Sequence, residues 1–175
     1  MVLNPEETIR SLLLREDAVV ADLGAGSGVF TLALANRLQN GKVYAVDIQR
    51  GLLPLIVSKI NSINQKNVDI IWGNVEEVGG SKLKNESVDA VIFANMLFQI
   101  EQKETALKEI KRILKDGGKL LVVDWEGSFG NMGPRENDIV TKISARTLLE
   151  KNGFDFLTDV PAGDYHYGMI FRSCK

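Results

Sequence analysis

The chain has 175 residues, 45% hydrophobic and 25% charged, with 21 Lys and Arg against 23 Asp and Glu for a net charge of −2. This is the composition of one globular domain, residues 1–175, long enough for a substantial core and without an overall positive field to gather nucleic acid. A single cysteine, Cys174, excludes an internal disulfide and a multi-cysteine metal site, no apolar run reaches the roughly 18 residues of a membrane span, and MVLNPEETIR lacks the apolar core of a signal peptide, so a metal-free, cytoplasmic protein is expected.

Asn4-Pro5-Glu6-Glu7 reads as an N-cap, a proline in the first helical turn and an acid three residues after the cap, predicting a helix to about Arg15 with Ile9, Leu12 and Leu13 on its apolar face. Residues 1–17 are then expected to pack on the sheet. Ala18 to Leu23 is a continuous apolar run of the kind buried parallel strands show. It ends in Asp22 and breaks into Gly24-Ala25-Gly26-Ser27-Gly28 before a helix bearing Phe30, Leu34 and Leu38 on one face. Glycines without a Cβ let a ligand lie against bare backbone, and the helix beginning near Gly28 aims unpaired N–H groups at it, which points to a nucleotide-like cofactor. A dinucleotide fingerprint would need glycine at Val29, and a phosphate-binding P-loop would need Gly-Lys-Ser/Thr; neither is present. Asp22 would repel a pyrophosphate and suits a cofactor with an amino group and a positive charge.

Gly41 is expected to end that helix, and Lys42 to Asp47 is a second strand that also finishes on an acid. A carboxylate there, about 20 residues past the glycines, suits a ribose diol, with Ile48 packing on the adenine. A helix is predicted over 51–63, a third strand over Val68–Trp72 and a fourth over Val88–Ala94. An amphipathic helix should run from Glu101 to Leu114 with its lysines and its acids, Glu109 among them, on solvated faces, closed by Asp116-Gly117-Gly118 ahead of a fifth strand, Lys119–Trp125. Residues 126–138 are irregular and leave the carboxyl end of a central strand, so they are either a substrate lid or a connector. Ser144 should cap a helix reaching Asn152, and the strands Phe154–Val160 and His166–Ser173 are joined by a link short enough to require an antiparallel hairpin.

The run D-L-G-A-G-S-G closely resembles the first motif of the class I S-adenosylmethionine-dependent methyltransferases, and L-K-D-G-G before the fifth strand resembles the same family. The resemblance extends over about residues 18 to 172 and is nearest to small methyltransferases of the quinone-biosynthesis type. It implies an α/β, Rossmann-like, doubly wound seven-stranded sheet of order 3-2-1-4-5-7-6 with a C-terminal antiparallel hairpin, and, as the alternative to packing on the sheet, an N-terminal segment 1–17 that covers the pocket. It also implies S-adenosylmethionine, with S-adenosylhomocysteine as product, held by Asp22, Gly24, Ala25, Gly26, Gly28, Asp47 and Ile48. Asn74 and Val75 fall where the family commonly has an adenine-binding Asp; an amide can accept the same hydrogen. Asn95, in Asn-Met-Leu-Phe at the end of the fourth strand, would border the methionine portion; the Asn-Pro-Pro-Tyr-like run of adenine-N6 and glutamine-amide methyltransferases is absent. In the family's strand order Asp124 and His166 are expected to meet at the crevice mouth and move a proton. The acceptor is expected to be a small molecule, with RNA or protein methylation, or cofactor binding without catalysis, as the competing readings.

Overall fold

The structure is a computed structural model and describes residues 3–129 and 133–174. Its elements are α1 (Pro5–Arg10), β1 (Val19–Leu23), α2 (Val29–Arg37), β2 (Lys42–Asp47), α3 (Leu53–Ser62), β3 (Val68–Trp72), β4 (Val88–Ala94), α4 (Lys103–Ile113), β5 (Leu114–Trp125), a 3-10 turn (Glu136–Asp138), α5 (Lys142–Lys151), β6 (Phe154–Val160) and β7 (His166–Ser173). The seven strands form one sheet in the order β3-β2-β1-β4-β5-β7-β6. The first five run parallel and β7 runs antiparallel to both of its neighbours. The α/β class, the strand order and the terminal hairpin agree with the sequence reading.

Strand alternation divides the core into two layers, since successive side chains leave a strand on opposite faces. Ala21, Val91, Phe93, Leu120 and Val122 pack with Leu107 and Ile110 of α4 and Leu149 of α5. Val20, Ala90, Ile92, Leu121 and Val123 pack on the other side with Ile9 of α1 and Phe30 and Leu34 of α2. Most of these side chains are fully buried. At about 25 cal/mol per Å2 such burial is the main stabilising contribution.

Element ends differ from the sequence reading where tertiary contacts compete. α1 is capped by Asn4, whose Oδ1 accepts from Glu6 N (3.1 Å), but it stops at Arg10; Leu13 takes φ 50° and is 80% exposed, so it is not part of the apolar face. Thr8 Oγ1 donates to Pro161 O (2.9 Å) and ties α1 to the β6–β7 link. α2 ends at Arg37, before Gly41. α4 starts at Lys103 and gives way to extended backbone at Leu114 (ψ 137°), because Leu114 already pairs with Val88; Lys115–Gly118 form an irregularity inside β5 rather than a helix end. The cap of α5 is Thr141, whose Oγ1 accepts from Ser144 N (3.2 Å), not Ser144 itself. Part of the 126–138 stretch, residues 130–132, lies outside the described residues; its described parts fold back, with Phe129 against Tyr165 (4.7 Å between rings) and Gly133 seated on the Trp125 ring.

Candidate cofactor cleft

A parallel sheet presents the carboxyl ends of its strands at one edge, and the loops leaving them form the site. Here the loop after β1 is folded onto the end of β2: Gly24 N (2.8 Å) and Ala25 N (3.1 Å) both donate to Val46 O. Gly24, Gly26 and Gly28 all have φ between 54° and 80°, a left-handed backbone that disfavours side chains. Gly28 is the N-cap of α2 and makes no side-chain cap, so the first N–H groups of that helix stay available.

Asp47 closes the other side. It is 5% exposed, with Oδ2 accepting from Gly26 N (2.7 Å) and Oδ1 from Gln49 N (2.8 Å). A carboxylate has about four lone-pair sites, so about two remain beyond these bonds on a residue that lines the cleft. The carboxylate thereby joins the glycine loop to the start of the β2–α3 turn. Ile48 is 52% exposed beside it, with its carbonyl held by Trp72 Nε1 (2.9 Å). Past β3, Asn74 Oδ1 accepts from Glu76 N (3.0 Å) and its amide donates to Glu77 Oε1 (3.0 Å), an Asx-type turn that leaves one lone pair of the oxygen unused.

These residues surround a cleft of about 190 Å3 lined by Gly24, Gly26, Asp47, Ile48, Asn74 and Val75, all expected from the sequence, and by Glu76, Met96, Gln99 and Ile100, which were not. Glu76 is the most informative of the unexpected ones: its Oε2 accepts from Glu101 N (2.8 Å) and Gln102 N (2.6 Å), the donors at the head of α4, so it ties the β3–β4 loop to that helix. No local signal separates it from neighbouring surface acids.

Four expected residues do not line the cleft. Ala25 is buried and Gly28 acts as helix cap. Asn95, at φ 56°, turns the chain out of β4, with its N–H on Val123 O (2.7 Å) and Oδ1 buried without a partner among the described residues. Asp22 is 2% exposed and accepts from Thr31 Oγ1 (2.6 Å) on α2. Burial, opposed by that hydrogen bond, raises its carboxyl to about 6. The expectation that Asp22 presents its charge to a ligand beside the glycines is corrected: alternation places it on the Val20 face, under α2.

The expected meeting of Asp124 and His166 is corrected as well. Antiparallel register pairs Asp124 with Tyr167 and Trp125 with His166. Directly opposed residues share a face, so Asp124 lies on the α4–α5 side and His166 on the α1–α2 side. Asp124 accepts from Leu97 N (2.8 Å) and Trp125 N (2.8 Å), and burial, only partly offset by such bonds, raises it to about 6. His166 stacks on Trp125 (4.3 Å between rings), its Nε2 is buried without a partner among the described residues, and burial lowers its pKa. Glu109, expected on a solvated face, is fully buried; its carboxylate accepts from Ser81 Oγ, Ser81 N (3.1 Å), Gly79 N (2.6 Å) and Arg112 (2.7 and 2.8 Å). It fixes the loop that carries Asn74 and Glu76, since Gly80 O accepts from Asn74 N (3.1 Å).

Comparison with known proteins places this geometry. A family model described as a methyltransferase domain matches residues 21–122. A demethylmenaquinone methyltransferase of Bacillus mycoides is 28% identical over 120 residues, 68% of this chain and 49% of that protein. The human arsenite methyltransferase is 30% identical over 116 residues, 62% of this chain and 31% of that protein. The chain thus spans about half or less of the length of these curated relatives. The crystal structure of an S-adenosylmethionine-dependent methyltransferase from Aquifex aeolicus superposes with a TM-score of 0.88 at 25% identity, covering 98% of this chain and 90% of that one. The chain belongs to the methyltransferase-domain family, of the class I S-adenosylmethionine-dependent type that its glycine loop resembles.

Proposed function

We propose that the chain binds S-adenosylmethionine in this cleft and transfers its methyl group to a small-molecule acceptor. The observation that carries the reading is Asp47, a buried carboxylate at the end of β2 that is hydrogen-bonded to Gly26 N, lines the cleft and has acceptor capacity left over. The residues fit the cofactor. Asp47 takes the ribose hydroxyls, Ile48 packs on the adenine and the free lone pair of Asn74 takes the adenine amino hydrogen, with Val75 behind it. Gly24 and Gly26 offer bare backbone to the methionine portion, and Asn95 Oδ1, buried without a donor, is assigned to its ammonium group. Asp22 acts from behind, by holding Thr31 and with it the start of α2 against the glycine loop. Ala25 and Gly28 serve the loop's shape.

When bound, S-adenosylmethionine supplies an electrophilic methyl group on a sulfonium. The protein's part is alignment and exclusion of water rather than a fixed catalytic triad. His166 is the group assigned to removing a proton from the acceptor: burial lowers its pKa, which favours the neutral imidazole that a base needs, and Nε2 has no competing partner among the described residues. Asp124 is given a positioning part, fixing the turn at Leu97 beside the cleft. Two features support a small acceptor. The relatives named above carry demethylmenaquinone and arsenite in their names, and a net charge of −2 offers nucleic acid no general attraction.

The test is ligand-induced stabilisation. A ligand at about 100 times its dissociation constant adds about 2.7 kcal/mol, which for a chain of this size raises the melting temperature by roughly 5–10 °C. S-adenosylhomocysteine is expected to do so and NAD is not. No shift with the former, or a shift with NAD alone, removes the cofactor assignment; release of S-adenosylhomocysteine from S-adenosylmethionine with quinol-type and other small acceptors then separates an enzyme from a binding protein.

A further inference from the structure

The cleft is small for a nucleoside ligand with a tail: about 190 Å3, where small-molecule sites run from roughly 300 to 1,000 Å3. The missing room lies at one end. Strand order β3-β2-β1-β4 sets the strand ends side by side, with Asn74 after β3, Asp47 closing β2, Gly24 after β1 and Met96 after β4. Three strand spacings cover about 14 Å. A ligand with adenine at Asn74 and ribose at Asp47 therefore sends its sulfur and amino-acid tail across Gly24 toward Met96. That is where the space is filled: a Cβ added to Gly24 would collide with Met96 Sδ and lie 2.8 Å from its Cγ and Cε. The thioether rests on the bare backbone that the glycine leaves open.

Only the side chain needs to move. The backbone on either side is tied down, with Asn95 N on Val123 O (2.7 Å), Leu97 N on Asp124 Oδ2 (2.8 Å), and Met96 O accepting from Gln99 N (3.0 Å) and Ile100 N (3.1 Å). Methionine is unbranched, with three rotatable bonds past Cα, and re-packs easily among apolar neighbours. On the cofactor reading above, we infer that Met96 is a specificity-determining plug: it closes the tail half of the cleft, leaves the adenosine half open, and swings off Gly24 only for ligands that carry the amino-acid tail. Wild-type protein consequently pays for opening when it binds S-adenosylhomocysteine and not when it binds methylthioadenosine, which has the same adenosine and sulfur without the tail.

Affinity for a ligand that needs a minor conformer is reduced by that conformer's population, so an open form present at about one tenth weakens tail binding about tenfold. Met96→Ala removes the plug. Titration calorimetry with both ligands is expected to show S-adenosylhomocysteine tightening about tenfold in the variant and methylthioadenosine changing less than twofold. Because each variant's two constants are compared with one another, general loosening of the site cancels. Met96→Val, which cannot reach as far across Gly24, should move the ratio in the same direction and serves if the alanine variant does not fold. In wild-type protein the Met96 methyl resonance is expected to shift with S-adenosylhomocysteine and stay in place with methylthioadenosine. An unchanged ratio in the variants, weaker S-adenosylhomocysteine binding, or equal methyl shifts with both ligands overturns the plug while leaving the cofactor assignment standing. Failure of both ligands to bind any of the proteins overturns both.

Discussion

Replacing Glu109 by alanine tests whether the loop that bears Asn74 and Glu76 is held by a buried charge. The carboxylate is fully buried and accepts from two backbone N–H groups, the Ser81 hydroxyl and two nitrogens of Arg112. Burial alone would raise its pKa, but the bonds from Arg112, Ser81 and Gly79 outweigh it and hold the carboxyl at about 2. Against an ordinary 4.5, that difference corresponds to about 3 kcal/mol of folding free energy. The independent figure for removing one partner of a buried ion pair is about 3–5 kcal/mol. Glu109→Ala should therefore lose about 3 kcal/mol or more in urea unfolding at pH 7, against a total stability of roughly 5–15 kcal/mol for a domain. The sign with pH follows from the depressed value: the contribution is complete above about 4.5 and is lost as pH falls toward 2. At pH 3.5 the gap between wild type and variant should have narrowed by about 1 kcal/mol. Asp22 and Asp124, both raised to about 6 by burial, act in the opposite sense and destabilise as pH rises from about 4 to 6, but they are common to both proteins and cancel in the difference. Because Gly80 O holds Asn74 N, the variant should also bind S-adenosylhomocysteine several-fold more weakly. A loss below about 1 kcal/mol at pH 7, or a gap that does not change between pH 7 and pH 3.5, would refute this account.

Asp47→Ala removes the ribose acceptor together with the bonds from Gly26 N and Gln49 N. It should weaken S-adenosylhomocysteine binding by tenfold or more, since bonds to a charged acceptor contribute about 1.5–3 kcal/mol, with far-ultraviolet circular dichroism unchanged. Unaltered affinity by calorimetry would show that the carboxylate serves only the loop. With an acceptor in hand, His166→Asn should lower turnover by about a hundredfold at constant cofactor affinity. Wild-type kcat should rise through a pKa below 6.5, because burial lowers the His166 pKa and the base must be neutral. Turnover that survives the substitution across the pH range would make His166 a packing partner of Trp125.

What the sequence determined by itself was local in origin. Four apolar runs became the central parallel strands because a strand covered on both faces has no polar side to show, the fifth, β3, pairs at the sheet edge with its residues only partly covered, and the spacing of Gly24, Gly26 and Gly28 required a left-handed loop wherever the chain went next. Asp47 was legible because a strand's last residue is at the sheet's carboxyl edge regardless of neighbours. Face was another matter. Whether Asp124 meets His166 depends on the register of β5 against β7, set by contacts more than 40 residues apart in the chain, and a shift of one residue moves every side chain to the other side of the sheet. Asp22 was assigned to the ligand for its charge, but the parity it shares with Val20 put it beneath α2 against Thr31. Glu109 looked like one acid among lysines until the β3–β4 loop brought Ser81 and Gly79 to it, and Met96 was an apolar residue at a strand end until β4, lying next to β1, laid it on Gly24. Composition and periodicity carry which residues form which element; a carboxylate's partner and a side chain's cavity are set by what the fold places opposite, and only the tertiary structure contains that.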